Sequence, residues 1–254
     1  MIDFKSTLRI AINSLKVNKM RSMLTSLGII IGVSAVIIML AIGTGAQEKV
    51  QKNMESMGSN LLTIRGASAK SGGVHMGMGT IPTLTTKDAT AINKNARGIL
   101  GVAPVSSETK QLTYGNQNWS TSVYGTMPEY FFIKNYEIDC GRGFIPEDIR
   151  NAAKVAIMGT TVASELFGDV NPVGKTIRVG NIPFKVIGTL KSKGQAGPMD
   201  QDDLIFIPLT TAQRKVFGTD FPNTVSMIVV KCQDADIVET TEADIDELLT
   251  KRHN

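Results

Sequence analysis

Residues 22–47 read SMLTSLGIIIGVSAVIIMLAIGTGAQ and contain no charged side chain in 26 positions. The apolar centre, Met23 to Ile42, is 20 residues long, and a helix of that length spans roughly 30 Å, the hydrocarbon thickness of a bilayer. A helix satisfies all of a single segment's backbone polar groups internally, and the few hydroxyls in the run can bond back to it. The stretch therefore predicts a transmembrane helix. A buried core helix of a soluble domain is usually shorter and keeps a polar edge. A cleaved signal peptide has an apolar run of about 7–15 residues before a small-x-small site. Here the run is longer, follows a charged lead of 21 residues, and offers only Ala41-Ile42-Gly43 as a weak cleavage match.

The flanks set a direction. Lys5, Arg9, Lys16, Lys19 and Arg21 precede the span against a single Asp3, and basic residues beside a span are retained in the cytoplasm. The N-terminus is predicted inside and everything after about Glu48 outside. The whole chain of 254 residues carries a formal charge of +4, yet beyond residue 21 basic and acidic residues balance at 22 each. The basic excess is juxtamembrane, where anionic lipid is the natural partner, so nucleic acid is not supported.

From Phe4 to Leu15, the residues Phe4, Leu8, Ala11, Ile12 and Leu15 share one helical face, predicting an amphipathic interfacial helix within residues 1–21. Inside the span, 22–47, Thr25, Gly28, Gly32 and Ala35 line small residues along one side, a face that lets another helix approach closely. Beyond it, Ala46, Val50, Met54 and Met57 continue at helical spacing among charged residues until Gly58 and Asn60. Residues 48–60 are thus expected to prolong the membrane helix as a stalk, which can carry motion as a flexible linker cannot.

The remaining chain alternates strand and helix signals. Leu61–Arg65 reads as a strand, followed by a Gly/Ser-rich loop. Thr85-x-x-Asp88 is a capping box opening a helix to about Asn95. A hairpin is expected from Gln111–Tyr114 and Trp119–Gly125 around Gly115 to Asn118. Strand composition recurs at Lys154–Met158, Thr176–Val179, Phe184–Leu190 and Leu204–Ile207, with Gly180-Asn181 turning the middle pair. Helices are expected at Thr160–Phe167, closed by Gly168, and after a Thr210-x-x-Gln213 cap. A strand Ser226–Lys231 and an acidic helix from about Ile237 to Lys251 close the chain. This last unit looks like the missing half of the first strand-helix unit, so residues 61–134 and 221–254 are expected to form one subdomain interrupted by a strand-rich insertion, 135–220. The fold class is α+β.

No local pattern carries catalysis. Gly168 to Thr176, GDVNPVGKT, approaches a phosphate loop but has five residues between its glycines and leads into strand-like alternation where a helix is required. His75-Met76-Gly77-Met78 has ligands that suit Cu(I), but four residues in a Gly-rich loop more often bind nothing. Asn118-Trp119-Ser120 matches a short, common glycosylation motif. Asp200, Asp202 and Asp203 read as a solvated turn, with Ca²⁺ second. Cys140 and Cys232 are either a disulfide or two unpaired small residues. The chain is read as a non-enzyme with no cofactor and no metal.

Taken together, RSMLTSLGIIIGVSAVIIMLAIGTGAQ, GSNLLTIRG, PTLTTKDATAI, GRGFIPED, VAIMGTTVASELFG, NPVGKTIRVGNIPFKVIG and DDLIFIPLTTAQ strongly resemble the permeases of the macrolide-exporter (MacB-like) group of ABC transporters, within the FtsX-like permease superfamily. The resemblance implies a bacterial inner or plasma membrane location and a stalk beneath an extracytoplasmic core of porter-like strand-helix repeats with a mixed insertion. It implies a homodimer or paired permease, a separate ABC ATPase subunit, an adaptor of the membrane-fusion type outside, and mechanotransmission for export of a drug, peptide or lipidic substrate. It also implies three further membrane helices, whereas the sequence to Asn254 holds one apolar run, so the chain reads as an N-terminal portion. A non-transporting FtsX-like regulator of an extracellular hydrolase and an anchored binding module are the alternative readings.

Overall fold

The computed structural model describes residues 7, 17–57, 60–66, 70–71, 74–75, 84–197, 199–218 and 223–253. Apart from Thr7, the expected interfacial helix at Phe4–Leu15 lies outside these, as do Met76 and Met78. The chain divides into two compact units, Met1–Lys52 and Asn53–Asn254. The first is dominated by α1, an uninterrupted helix, Lys19–Met57, of 39 residues. Its hydroxyls behave as a membrane-compatible helix requires: Thr25 Oγ1 donates to Arg21 O and Thr44 Oγ1 to Leu40 O, at 3.0 and 2.9 Å.

The second unit carries β1 (Leu61–Arg65), a two-stranded ribbon of β2 (Lys70–Ser71) and β3 (Val74–His75), and α2 (Thr86–Asn95). It continues through β4 (Ile99–Tyr114), β5 (Gln117–Thr126), α3 (Glu129–Ile133), β6 (Ile138–Gly141), α4 (Pro146–Arg150), β7 (Val155–Met158) and α5 (Thr160–Phe167). Next come β8 (Thr176–Val179), β9 (Ile182–Leu190), a ribbon of β10 (Gln195–Ala196) and β11 (Met199–Asp200), and β12 (Leu204–Pro208). A short α6 (Leu209–Thr211), β13 (Met227–Cys232) and α7 (Val238–His253) complete it.

Six strands close into a ring. β4 pairs β5, then β12, β7, β9 and β8 follow, and β8 returns to β4 through Leu112↔Val179. Alternation along each strand fills the ring with Leu112, Val123, Ala156, Met158, Ile177, Phe184, Val186, Ile205 and Ile207, plugged by Val162, Leu166 and Phe167 of α5. β12 is buried at all five positions: Ile205 and Ile207 face this interior, while Leu204 and Phe206 face a second cluster with Tyr130 and Ile133 of α3. A strand buried on both faces reads as a continuous apolar run, as Leu204 to Pro208 does.

β4 changes partners along its length. Its near half, Ile99 to Val105, pairs β13, which pairs β1; its far half, Ser106 to Tyr114, pairs β5. Ile228 and Val230 of β13 meet α2 and α7 through Ile92 and Ile245, while Val229 faces α3 on the opposite side.

Several local expectations hold. Thr85 caps α2, with Asp88 N on Thr85 Oγ1 and Thr85 N on Asp88 Oδ2, and α5 ends at Gly168 with φ 59°. Others are corrected. The β4–β5 strands are longer than expected and meet at a two-residue turn, Gly115-Asn116, because Gly115 takes the left-handed conformation (φ 56°) that tight hairpins need. Thr210 caps no helix; its Oγ1 donates to Ile149 O, Gln213 Nε2 donates to Thr224 O, and Ala212–Val216 form a π-helical turn after α6.

Candidate functional site

In α1, fourteen large apolar side chains from Met20 to Ile42 are each more than half exposed. At roughly 1.5–3 kcal/mol gained on burying each, such a surface demands lipid or another helix. Lys19–Gln47 has a mean hydropathy of 2.5 over its most apolar window, none of it buried. Thr25, Gly28, Gly32 and Ala35 all lie in this helix, within about 80° of arc at the α-helical period. A Cβ built on Gly28 or Gly32 meets nothing within 4 Å, so these glycines answer no packing need among the described residues. Ala46, Val50, Met54 and Met57 belong to the same continuous helix.

The phosphate-loop lookalike is committed to the barrel. Val173 N donates to Asn171 Oδ1, Gly174 N to Val186 O and Lys175 N to Pro172 O, and β8 begins at Thr176. The backbone donors that would cradle phosphates are spent, and a strand follows where a helix N-terminus would have to be. Cys140 and Cys232 are both free thiols, the second buried.

The three aspartates are not a solvated turn. Asp202 is 3% exposed and its carboxylate accepts from Ser192 Oγ (2.6 Å), Lys193 N (2.9 Å) and Gly194 N (2.9 Å). Asp200 accepts from Thr161 Oγ1 at 2.7 Å and from Asp202 N at 2.8 Å. Asp203 accepts from the Trp119 indole at 2.8 Å. The cluster clamps β5, α5 and the loop after β9 onto the start of β12. Sequence reasoning missed it because every partner except Asp200 is remote in the chain.

Two further buried carboxylates tie segments together. Asp88 receives Arg252 Nε at 2.8 Å and His253 Nε2 at 3.2 Å from the end of α7. Burial pushes its pKa up, and hydrogen bonds from Thr85 and Arg252 outweigh this and hold it below the usual carboxylate value. Asp148 is held low in the same way: burial opposes ionisation, and Arg142 (2.6 Å) and Ile145 N (3.1 Å) override it. Among the described residues no group of three His, Cys, Asp or Glu side chains is placed to hold a metal ion. The arrangement is one of anchoring and clamping.

Comparison with known proteins agrees with this architecture. The profile of the MacB-like periplasmic core domain family matches residues 22–248. The macrolide export ATP-binding/permease protein MacB of Chlorobaculum tepidum is 44% identical over 243 residues, 96% of this chain and 37% of that protein. The MacB protein of Bdellovibrio bacteriovorus is 41% identical, over 94% of this chain and 36% of its own length. The chain thus spans a little over a third of these relatives. Among solved structures, the periplasmic region of MacB from Actinobacillus actinomycetemcomitans superposes with a TM-score of 0.66 at 26% identity, covering 81% of this chain and 89% of that one. The extracellular domain of the noncanonic ABC-type transporter YknZ shares the fold, with a TM-score of 0.60 at 23% identity over 76% of this chain and 95% of its own. With a long apolar helix leading into a mixed helix-and-strand core that the family profile spans nearly end to end, the chain belongs to the MacB-like periplasmic core domain family.

Proposed function

We propose that the chain is the anchor, stalk and extracytoplasmic core of a MacB-like ABC permease, passing ATP-driven motion across the membrane for export of a drug, peptide or lipidic substrate. The observation that carries this reading is the exposed apolar helix α1 running without a break to Met57 in a chain whose core is of the MacB-like family. On this reading the N-terminus is cytoplasmic in the bacterial inner or plasma membrane, because the basic residues lie before the span. ATP hydrolysis belongs to an ABC ATPase subunit. The stripe Thr25, Gly28, Gly32 and Ala35 is proposed as the packing face for a membrane helix, in a homodimer or paired permease. Ala46, Val50, Met54 and Met57 are proposed as the stalk, on the same unbroken helix. We further propose that residues 61–134 and 221–254 form the porter-like part and 135–220 the insertion, with the β4–β5 hairpin shared between them, and that an adaptor of the membrane-fusion type docks outside.

Insertion of a Gly-Ser segment between Gln47 and Glu48 tests the coupling. In a reconstituted complex with its ATPase, ATP hydrolysis should persist while export falls sharply. Export at the wild-type rate would remove the stalk from the mechanism, and release of the chain from vesicles by alkaline washing would remove the anchor.

A further inference from the structure

Three lysines converge on the turn that ends α3, and none has a carboxylate partner within 4.0 Å among the described residues. Lys193 Nζ donates to Lys134 O at 2.8 Å and lies 4.6 Å from the centroid of the Tyr136 ring. Lys231 Nζ donates to Asn135 Oδ1 at 2.9 Å and to Phe132 O at 3.3 Å, and lies 4.6 Å from the centroid of the Phe132 ring. Lys134 is half-buried in the same turn, and its own ammonium makes no hydrogen bond or ion pair among these residues. The nearby carboxylates are already engaged: Glu137 by Lys191 at 2.7 Å, Asp200 by Thr161, and Asp202 by Ser192, Lys193 N and Gly194 N.

Half-buried cations are ordinarily paired, because desolvation without a counter-charge is unfavourable. Here Lys193 reaches the backbone carbonyl of the half-buried Lys134, and neither ammonium has a carboxylate within 4.0 Å among the described residues. Burial pushes the Lys134 ammonium toward its neutral form; for Lys193 burial does the same and the charge of Lys134 adds to it, with Asp202 opposing. A structural cap on α3 accounts for Lys193 and Lys231, which bond its last carbonyls. It gives no reason for Lys134.

We propose that this turn is a phosphate-binding site, with the anion seated between the ammonium groups of Lys134 and Lys193. A phosphate monoester carries about −1.5 to −2 charge and three acceptor oxygens, which neutralises both cations and takes the N–H donors that the carbonyls leave free. The Tyr136 ring lies against the Lys193 ammonium, 4.6 Å from its centroid. This site is independent of the transport reading.

The test melts full-length protein in neutral detergent micelles against inorganic phosphate, with ionic strength held constant by chloride. Lys134→Ala, Lys193→Ala and Lys191→Ala are run beside it, the last as a control whose ammonium already pairs with Glu137. The Tm of wild type and Lys191→Ala should rise saturably with phosphate, and the apparent affinity should weaken at least about tenfold in the other two. Without phosphate, Lys134→Ala should melt no lower than wild type, since it loses an unneutralised charge; this keeps the test sound if Lys193→Ala is destabilised through its lost cap. A parallel titration of phosphatidylglycerol into the micelles separates a lipid headgroup from a soluble phosphate by which of the two saturates the response. A rise common to all variants, or no rise in wild type with either anion, would overturn the site.

Discussion

Asp202 is where a residue most clearly governs structure beyond its own element. Three donors converge on its buried carboxylate, so Asp202→Ala leaves them unsatisfied and should destabilise the core by about 2–4 kcal/mol, read from urea unfolding. A loss under about 0.5 kcal/mol would mean that the clamp is incidental. Asp88 and Asp148 set the acid response. Both are more acidic folded than unfolded, against an ordinary carboxylate pKa of about 3.9. On acidification the unfolded chain therefore binds its protons first, and stability that is fully present above about pH 5 is lost as pH falls through the folded values. The urea midpoint of wild type should fall between about pH 5 and pH 3, while Asp148→Asn should start lower and fall less. Parallel curves would assign the acid response elsewhere. The Thr85–Asp88 box was legible because both partners lie within four residues; the Asp202 clamp was not, because its donors lie on other elements.

Elements meet closely where glycine permits it. A Cβ on Gly159 would lie 2.1 Å from Asp202 O, and one on Gly125 2.2 Å from the Ala212 Cβ. Gly159→Ala and Gly125→Ala should therefore each cost about 1–3 kcal/mol through displaced backbone or forced repacking, seen as a lower Tm with unchanged secondary structure by circular dichroism. Equal stability would show that α5 and the π-helical turn shift freely. In α1 the sign is different. A Cβ on Gly28 or Gly32 meets nothing within 4 Å among the described residues, so in Gly28→Leu and Gly32→Leu the helix should persist while in-membrane crosslinking to a partner helix drops several-fold. Undiminished crosslinking would remove the proposed packing face. Helix α1, the capping box and the β8–β9 hairpin were readable from period and turn chemistry. The true length of β4 was not, since its 16 residues hold mixed polarity and change partner midway.

At the scale of the molecule, β4 joins what reads in sequence as two parts. Its near half sits beside β13 and its far half closes the barrel, so residues 53–254 should unfold in a single cooperative transition, with near- and far-ultraviolet signals coincident. Two separated transitions would show that the parts are energetically independent. The sequence by itself determined the anchor, because an uncharged apolar run of bilayer length has few other fates, and it determined most strand and helix identities, because polarity repeats locally at 2 or about 3.6 residues. Only the tertiary structure decided that β8 returns to β4 to close a barrel, that a cluster of acids is a buried clamp, and that lysines from three distant segments gather at one turn. Those are matters of register and of contact between residues far apart in the chain, and local periodicity carries no information about which distant edge a strand will find.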